Sequence, residues 1–342
     1  MKVGLFITNQ QTLDRDMVSA LDDQIAMVRH ARDRGWDSLL TGQHYLNEGN
    51  NKQLQPVPFI ARLAAEAGEM QIGLGILLLN LHNPIYTAET IATLDIIARG
   101  NFIFGIGLGY RDVEFDAFAV PKGERVKRFE EYLALVKELW TGKPVTYDGP
   151  TCKLDKVVMN IRPIQQPSPP VWVAANNDPA VRRAARLGDA WFINPHATLD
   201  SLTRMMAVYR DELKACGKPF PKDLPVFKEV FCAKDRRTAI EMAAPYLGGK
   251  YRDYAKWGQD KVMPDDADFS KSFEDLTQGR FIIGSPEECY EQLKPYWEDL
   301  GCSHIVIRTN WAGMPVSTAL SSMRLISDEL MPAIRKATPR TF

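Results

Sequence analysis

Residues 173–179 have the composition of an anion-binding strand end. The sequence V-A-A-N-N-D-P places small and polar residues between an apolar strand and a proline that opens a helix. The free backbone N–H groups and the partial positive charge of a helix N-terminus bind phosphate, and Asn176 and Asn177 add side-chain donors. Asp178 would repel a phosphate unless it points away and caps the helix. The segment therefore predicts either a phosphate cradle over residues 174–177 or a simple helix N-cap.

A second unusual segment is the glycine-rich strand end G-I-G-L-G at residues 105–109. A dinucleotide-binding turn requires G-x-G-x-x-G at the start of a helix, with an acidic residue about 20 positions later. The spacing here is G-x-G-x-G, and Tyr110-Arg111-Asp112 follows, so this pattern does not match. Two compatible interpretations remain: the glycines allow a tight turn at a crowded rim, or they let a flat ligand lie close to the strand end.

The composition is that of a globular protein without a nucleic-acid-binding face. The chain has 342 residues, of which 25% are charged and 45% hydrophobic, and its net charge is −1. A phosphate backbone would need an excess of Lys and Arg. No apolar run reaches the ~18 residues that span a bilayer, and the N-terminal M-K-V-G-L-F-I-T is typical of a first β-strand rather than a signal peptide. Neither nucleic acid nor membrane is expected as a partner, and a cytoplasmic location is expected.

The cysteines and histidines are scattered along the chain. There are five of each, and none forms a C-x-x-C or H-E-x-x-H pattern. An odd and irregular set of cysteines indicates free thiols in a reducing compartment. No metal site is expected.

The candidate residues must be positioned by elements that bring strand ends together. Apolar runs of strand length alternate with stretches of helical periodicity about eight times. A strict strand-helix alternation implies parallel strands, so the fold class is α/β, and eight units fit a (β/α)₈ TIM barrel with insertions. No break in composition divides the chain, so residues 1–342 are expected to form a single barrel domain, with a β-hairpin around Asp148-Gly149. The predicted barrel strands are Val3–Thr8, Asp37–Gly42, Gln71–Leu79, Phe102–Gly107, Val171–Ala175, Ala190–Ile193, Leu224–Ala233 and His304–Arg308.

Several segments, in a fixed order, carry a resemblance to a known family. They are G-W-D-S-L-L-T-G-Q-H-Y (35–45), I-G-L-G-I-L-L-L-N-L-H-N-P (72–84), A-E-T-I-A-T-L-D-I-I-A-R-G-N-F-I-F-G-I-G-L-G-Y (88–110), F-D-A-F (115–118), P-P-V-W-V-A-A-N-N (169–177), A-A-R-L-G-D-A-W-F (184–192) and I-I-G-S-P-E-E (282–288). Together they resemble the bacterial-luciferase-like flavin monooxygenases over most of the chain. The resemblance implies the same barrel, with reduced FMN (FMNH₂) bound at the carboxyl-terminal rim.

The resemblance also implies roles for individual residues. His44 matches the histidine near the reactive edge of the flavin, where an imidazole can shuttle protons, and a rim histidine held by backbone hydrogen bonds is the alternative. Strand three runs beneath the flavin ring, and Gly75-Ile76 is the expected place for a non-proline cis peptide. At the end of strand four Leu108 stands where the family often has a basic or polar group. The predicted cofactor-binding residues are Gly75, Ile76, Leu77, Tyr110, Ala174, Ala175, Asn176, Asn177 and Arg280.

Side chains at the other strand ends are candidates for a substrate pocket. Aromatic residues at the rim can form the walls of a mostly apolar pocket, although an aromatic residue more often packs in a core. Gln43 replaces the acidic residue that usually precedes the family histidine, so any role of that charge is in doubt. The predicted pocket residues are Phe6, Asn9, Gln43, Trp191, Asn194, Asn310 and Trp311.

The resemblance implies a two-component monooxygenase. A separate flavin reductase would supply FMNH₂, and one atom of O₂ would enter a small, mostly apolar organic substrate through a flavin C4a-peroxide. The polar segment 257–285 lies where the family carries a variable insertion, and we expect it to be a mobile lid. A homodimer is also implied. Two alternatives stay open: a deazaflavin-dependent dehydrogenase on the same barrel, and a flavin-binding protein without turnover.

Overall fold

The computed structural model describes residues 1–42, 44–47, 51–263 and 268–342, and the elements below are those of the described residues. The strands are β1 (Lys2–Phe6), β2 (Gln10–Thr12), β3 (Ser38–Thr41), β4 (Asn51–Gln53), β5 (Gln71–Leu74), β6 (Leu77–Leu78), β7 (Phe102–Gly107), β8 (Val145–Asp148), β9 (Lys153–Val157), β10 (Val171–Ala175), β11 (Ala190–Ile193), β12 (Pro225–Cys232), β13 (Ile282–Gly284) and β14 (His304–Arg308). The helices are α1 (Met17–Asp33), α2 (Pro56–Ala67), α3 (Pro84–Ile97), α4 (Asp112–Ala117), α5 (Arg125–Leu139), α6 (Asp178–Leu187), α7 (Leu199–Ala215), α8 (Arg236–Lys256), α9 (Phe273–Thr277), α10 (Pro286–Glu298), α11 (Val316–Leu325) and α12 (Met331–Lys336).

Eight parallel strands close into a barrel. Their order is β10-β11-β12-β14-β1-β3-β5-β7, and β7 pairs back to β10 with Phe104 opposite Val171. The predicted (β/α)₈ barrel is therefore confirmed, and the eight predicted strands are those that form it. The hairpin of β8 and β9 is also confirmed, whereas the short antiparallel ribbon of β2 and β4 was not predicted.

The barrel strands are apolar on both faces because each face meets a different core. Side chains that point into the barrel form one cluster: Phe6, Leu40, Ile103, Trp172, Ala190, Phe192, Phe227 and Val306. Their neighbours along the strands, such as Leu5, Leu39 and Trp191, belong to the larger core between the sheet and the helices. The period of two along each strand therefore decides which side chains can reach the barrel interior.

The helices begin at residues that satisfy free backbone N–H groups. Asn83 caps α3 through its side-chain oxygen, which accepts from the backbone N–H of Ile85. Ser285 and Glu288 form a capping box at α10. No helix of the described ranges has the length and apolar character to cross a membrane. All five cysteines are free thiols, as the sequence predicts.

The third barrel strand is interrupted where it reaches the carboxyl-terminal rim. After Leu74 the chain passes through a cis peptide bond between Gly75 and Ile76, and β6 then pairs with β7. The cis peptide predicted at this dipeptide is therefore confirmed. The interruption turns the backbone of residues 75 and 76 toward the centre of the rim.

The amino-terminal end of the barrel contains a partly buried charge network. His304 lies with Nδ1 3.1 Å from Asp223 Oδ1 and with Nε2 2.8 Å from Ser38 Oγ. Lys2 Nζ donates to Asp223 Oδ2 over 2.7 Å. Burial raises the pKa of Asp223, but the hydrogen bonds and charges of His304 and Lys2 outweigh burial and lower it to about 2. The network lies far from the strand ends that carry the candidate site, so we assign it to stability.

We expect Asp223→Asn to lower the free energy of unfolding by about 2 kcal/mol at neutral pH. The pKa of Asp223 is lowered on folding, so its stabilisation is present above the unfolded value near 3.8 and disappears as the pH falls through about 2. The difference between wild type and variant should therefore shrink between pH 4 and pH 2 in urea unfolding followed by circular dichroism. Asp155→Asn, at an exposed position of β9, is the control. A constant difference across this pH range would contradict the assignment.

Candidate functional site

A cavity of about 370 Å³ opens at the carboxyl-terminal ends of the barrel strands. Its size and position are typical of a small-molecule site on this fold. Ten of the residues predicted from the sequence line it: Phe6, His44, Gly75, Ile76, Tyr110, Ala174, Ala175, Asn176, Asn177 and Asn194. Their roles there stay predictions, and the local geometry shows what each can do.

The start of α6 forms one end of the cavity. Asn177 is the N-cap, and its side-chain oxygen accepts from the backbone N–H of Ala180 over 3.1 Å. Asn176 accepts instead from Asn194 Nδ2 over 2.9 Å. Asp178 forms an ion pair with Arg204 over 3.0 Å, which removes the repulsion that its carboxylate would exert on an anion. The segment thus combines a helix cap with the donors and dipole of an anion cradle.

Two cations that the sequence analysis missed also line the cavity. Lys122 and Arg125 belong to the turn and helix that follow α4, and both contact the cavity. Lys122 Nζ lies 2.6 Å from Asp112 Oδ1, and Arg125 Nη1 donates to the backbone oxygen of Lys122 over 2.8 Å. The resemblance read from the sequence implies a basic or polar group for the phosphate directly at the end of strand four. The charge comes from about fifteen residues further on, because α4 folds back over the rim.

The wall beside the cradle is made of backbone. A Cβ atom on Gly107 would overlap Ile76 Cδ1 and lie 3.6 Å from Ala174 Cβ, and a Cβ atom on Gly75 would lie 2.9 Å from the Phe6 ring. Gly109 has φ +75°, a conformation that L side chains rarely adopt. The positive φ of Gly109 supports the tight-turn interpretation, and the ligand interpretation stays a prediction.

His44 lines the cavity beside a buried acid. Its Nδ1 lies 3.4 Å from Glu114 Oε1, and the Glu114 side chain is fully buried. Three aromatic rings contact the imidazole with centroids 5.3–5.9 Å away, those of Tyr110, Tyr254 and Trp257. A proton on Nδ1 directed at Glu114 would leave Nε2 free to accept or deliver a proton in the cavity.

Comparisons with known proteins agree with this geometry. The family profile for luciferase-like monooxygenases matches residues 1–304. The chain belongs to the luciferase-like monooxygenase family. The resemblance read from the sequence is thus confirmed. Because fold alone does not specify chemistry, the named relatives are the next comparison.

The relatives of this luciferase-like chain carry two kinds of redox chemistry. It is 23% identical to the oxygenase component of a flavin-dependent trigonelline monooxygenase from Acinetobacter baylyi, over 98% of this chain and 96% of that protein. It is 24% identical to an F420-dependent glucose-6-phosphate dehydrogenase from Microbacterium testaceum, over 90% and 91%. The oxygenating constituent of 3,6-diketocamphane monooxygenase from Pseudomonas putida, solved with FMN, shares the fold with a TM-score of 0.78 at 20% identity, over 97% and 98%. The comparisons support oxidoreductase chemistry.

Six predicted residues lie outside the cavity lining. Trp191 points to the outer core, where its Nε1 donates to the Ala175 backbone oxygen, because its neighbours on β11 occupy the barrel interior. Leu77 packs in the same outer core. Trp311 donates to Glu229 over 2.7 Å, and with Asn310 it lines a separate cavity against α1. The remaining two bind backbone oxygens: Asn9 donates to Leu54 over 2.6 Å, and Arg280 donates to His196 over 2.9 Å.

These six positions were selected by their nearness to strand ends. The alternation along β11 was available in the sequence and would have placed Trp191 on the outer face. The predicted pocket residue Gln43 lies outside the described residues. The remaining errors concern loops, where sequence spacing does not give direction.

The segment 257–285 contributes to the cavity at its first turn. Gln259 and Val262 line the cavity, and Trp257 packs against His44 and under the Arg111 guanidinium at 4.6 Å. Residues 264–267 of this segment lie outside the described ranges. The predicted lid motion stays a prediction, and its first turn already covers the side of the site that holds His44.

Proposed function

We propose that this luciferase-like protein is the oxygenase component of a two-component, FMNH₂-dependent monooxygenase. The observation that carries the proposal is the joining, in one cavity, of a polar helix start at residues 174–177 and a wall that contains Gly75, Gly107 and Gly109. FMN has a phosphate at one end and a planar ring at the other, so its two parts match the two parts of the cavity. The catalytic histidine predicted from the sequence lies at the same rim.

The residues present fit FMN. The backbone N–H groups at the start of α6, with Asn176, Asn177, Lys122 and Arg125, would hold the phosphate. Residues 75, 76 and 107 line the cavity and would contact the ring. The hydroxyl of Tyr110 is buried without a hydrogen-bond partner among the described residues, and burial raises its pKa well above the ordinary value. A neutral phenol there provides a donor for a polar edge of the cofactor.

The protein's part in the reaction follows from these contacts. When bound, FMNH₂ supplies the electrons that activate O₂ for insertion of one oxygen atom into the substrate. The aromatic rings around His44 exclude water from the reacting edge. His44 moves a proton at Nε2, while Glu114 holds its Nδ1 in place.

A reductase partner follows from the same proposal. One relative is named as an oxygenase component, which implies a second component that provides its reduced flavin. FMNH₂ would then reach the cavity by diffusion from the reductase. The cradle cations would favour capture of the dianionic phosphate.

An F420-dependent dehydrogenase is the second candidate. The observation that favours it is that the F420-dependent relative is as similar to this chain as the monooxygenase is, at 24% against 23% identity. Such an enzyme transfers a hydride and does not use O₂. Both candidates place a cofactor in the same cavity, so the cofactor and the response to oxygen distinguish them.

The deciding experiment is anaerobic titration of the purified protein with FMNH₂ and, in parallel, with reduced F420. Each complex is then mixed with oxygenated buffer in a stopped-flow spectrophotometer. Tight FMNH₂ binding and an oxygen-dependent absorbance transient that free FMNH₂ lacks would support the monooxygenase. Selective binding of F420 without an oxygen reaction would refute it and support the dehydrogenase.

We expect Arg125→Met to weaken FMN binding roughly tenfold and to leave riboflavin binding within about twofold. The reason is that Arg125 lies at the phosphate end of the cavity and riboflavin has no phosphate. Fluorescence quenching of each flavin measures both affinities. The control is Arg128→Met, one turn further along α5, whose guanidinium is bound to Glu124 over 3.0 Å. Equal losses for FMN and riboflavin would show that the phosphate binds elsewhere.

A further inference from the structure

The side of the cavity opposite the cradle contains a second cationic centre. Arg308 ends β14, and its side chain lines the cavity. In the closed sheet order, β14 is three strands from the cradle strand β10 in one direction and five in the other, so the two strand ends lie on different sides of the barrel. A cofactor phosphate at the cradle and a ligand at Arg308 would therefore occupy different ends of one cavity.

The Arg308 guanidinium is buried without enough partners. The residue is 5% exposed, and its charged group lies 4.5 Å from the centre of the Phe6 ring and 5.0 Å from that of Phe227. Its Nε and Nη1 have no hydrogen-bond partner among the described residues. Buried N–H groups of a charged side chain are strongly destabilised unless an acceptor is supplied. A ligand oxygen in the cavity would supply it.

The neighbouring acid does not meet this need. Glu229 is fully buried, and its Oε1 lies 3.7 Å from Arg308 Nη1, beyond hydrogen-bond distance. Lys250 donates to Oε1, and Trp311 donates to Oε2. Lys250 and Arg308 thus share the Glu229 carboxylate, and both oxygens of that carboxylate already accept hydrogen bonds. Burial and the charge of Arg308 lower the pKa of Lys250 to about 7, although Glu229 opposes them.

The surroundings of Arg308 also define the body of the ligand. Phe6 and Phe227 stack with centroids 4.2 Å apart, and Phe192 lies parallel to Phe227 at 6.1 Å. These rings form the barrel-side floor of the cavity. They favour a compact apolar or aromatic group, which would lie beside the guanidinium.

We propose that Arg308 binds the carboxylate of the substrate and so selects a small organic acid with an apolar or aromatic body. The inference deepens the proposed function, on which it rests for the reaction itself. Two parallel N–H···O bonds from Nε and a terminal nitrogen to one carboxylate are the usual arrangement for arginine. Arg308 is then a specificity-determining residue, and the substrate carries an acid group that the sequence analysis did not expect. The anion would lie across the barrel from the cofactor phosphate.

The rival role for Arg308 is contact with the flavin ring. A guanidinium can also bind the polar edge of a reduced flavin, and the cavity is continuous between the two ends. The two roles differ in what the loss of Arg308 affects. A substrate contact changes the binding of acids, whereas a flavin contact changes the binding of FMNH₂.

The test uses benzoate and its neutral isostere benzamide as probes. Both are titrated by calorimetry into the full-length protein, with and without saturating FMNH₂, under anaerobic and phosphate-free conditions. We expect wild type to bind benzoate roughly tenfold more tightly than benzamide, and Arg308→Met to lose this preference with benzamide affinity unchanged. Arg308→Lys, which keeps the charge but not the two parallel donors, should retain only part of it. Arg236→Met, which changes an exposed arginine bound to the Ile283 backbone outside the cavity, is the control.

Each outcome decides the inference. The wild-type protein alone can refute the anion subsite. It does so if benzoate and benzamide bind with equal affinity, or if neither binds. A preference that survives Arg308→Met in protein with wild-type circular dichroism would refute the role of Arg308. A loss of FMNH₂ affinity that matches the loss of benzoate affinity would assign Arg308 to the flavin. If FMNH₂ does not bind but the benzoate preference persists and depends on Arg308, the proposed function fails and the acid subsite stands.

Discussion

Gly105→Ala is expected to lower the free energy of unfolding by about 3 kcal/mol. A Cβ atom at this position would overlap the backbone oxygen of Leu74 and lie 3.0 Å from its carbonyl carbon. Backbone cannot move aside as a side chain can, because Gly75 N–H is bound to the Thr41 oxygen over 2.7 Å in the adjacent strand. Urea unfolding followed by circular dichroism measures the loss.

The same substitution should reduce FMN affinity. Any relief of the clash displaces the end of β5 and with it the cis Gly75–Ile76 peptide, which forms the proposed ring wall. The matched control is Gly123→Ala, where a Cβ atom would meet no atom within 4 Å and the backbone has no positive φ. We expect the control to lie within about 0.5 kcal/mol of wild type. If Gly105→Ala lost as little stability as the control Gly123→Ala, the result would show that β5 and β7 tolerate separation.

The sequence predicted the barrel because each strand has a signal within its own short run of residues. Each of the eight runs is buried on both faces, so each is mostly apolar and stands out against the helices between them. Closure of the sheet, with Phe104 beside Val171, is not a local property. It followed from the number of strand-helix units alone.

The candidate site was predicted where its residues are adjacent in sequence. The cradle at 174–177 and the dipeptide Gly75-Ile76 are each one strand end, so the pattern placed them correctly in the cavity. Lys122 and Arg125 were missed because their position depends on how α4 folds over the rim. The excess of buried donors at Arg308 was also missed, since it depends on Glu229 and Lys250 from β12 and α8. Such a charge balance exists only in three dimensions.

Glu114 shows how a residue outside the predicted set can control one within it. Its Oε1 accepts the backbone N–H of Tyr45 over 2.8 Å and lies 3.5 Å from Arg111 Nη1. Arg111 in turn donates to the backbone oxygens of Tyr45 over 2.7 Å and Leu46 over 3.2 Å. The buried pair therefore binds the backbone that directly follows His44.

We expect Glu114→Leu to lower the free energy of unfolding by about 3–5 kcal/mol. The change leaves the Arg111 guanidinium, which is 4% exposed, without a counter-charge. Glu114→Gln should cost less, because an amide oxygen can still accept from the Tyr45 N–H. Urea unfolding of both variants measures the two costs.

The double variant Arg111→Met/Glu114→Leu separates charge balance from packing. Removing both members of a buried pair restores neutrality, so we expect it to be more stable than Glu114→Leu alone. It should still bind FMN more weakly than wild type, because the hydrogen bonds that fix residues 44–46 are gone. Recovery of stability without recovery of FMN affinity would assign the pair to the positioning of His44. If stability and FMN affinity recovered together, the pair would serve only to balance its own charges, and the orientation of His44 would have to come from the aromatic rings around it.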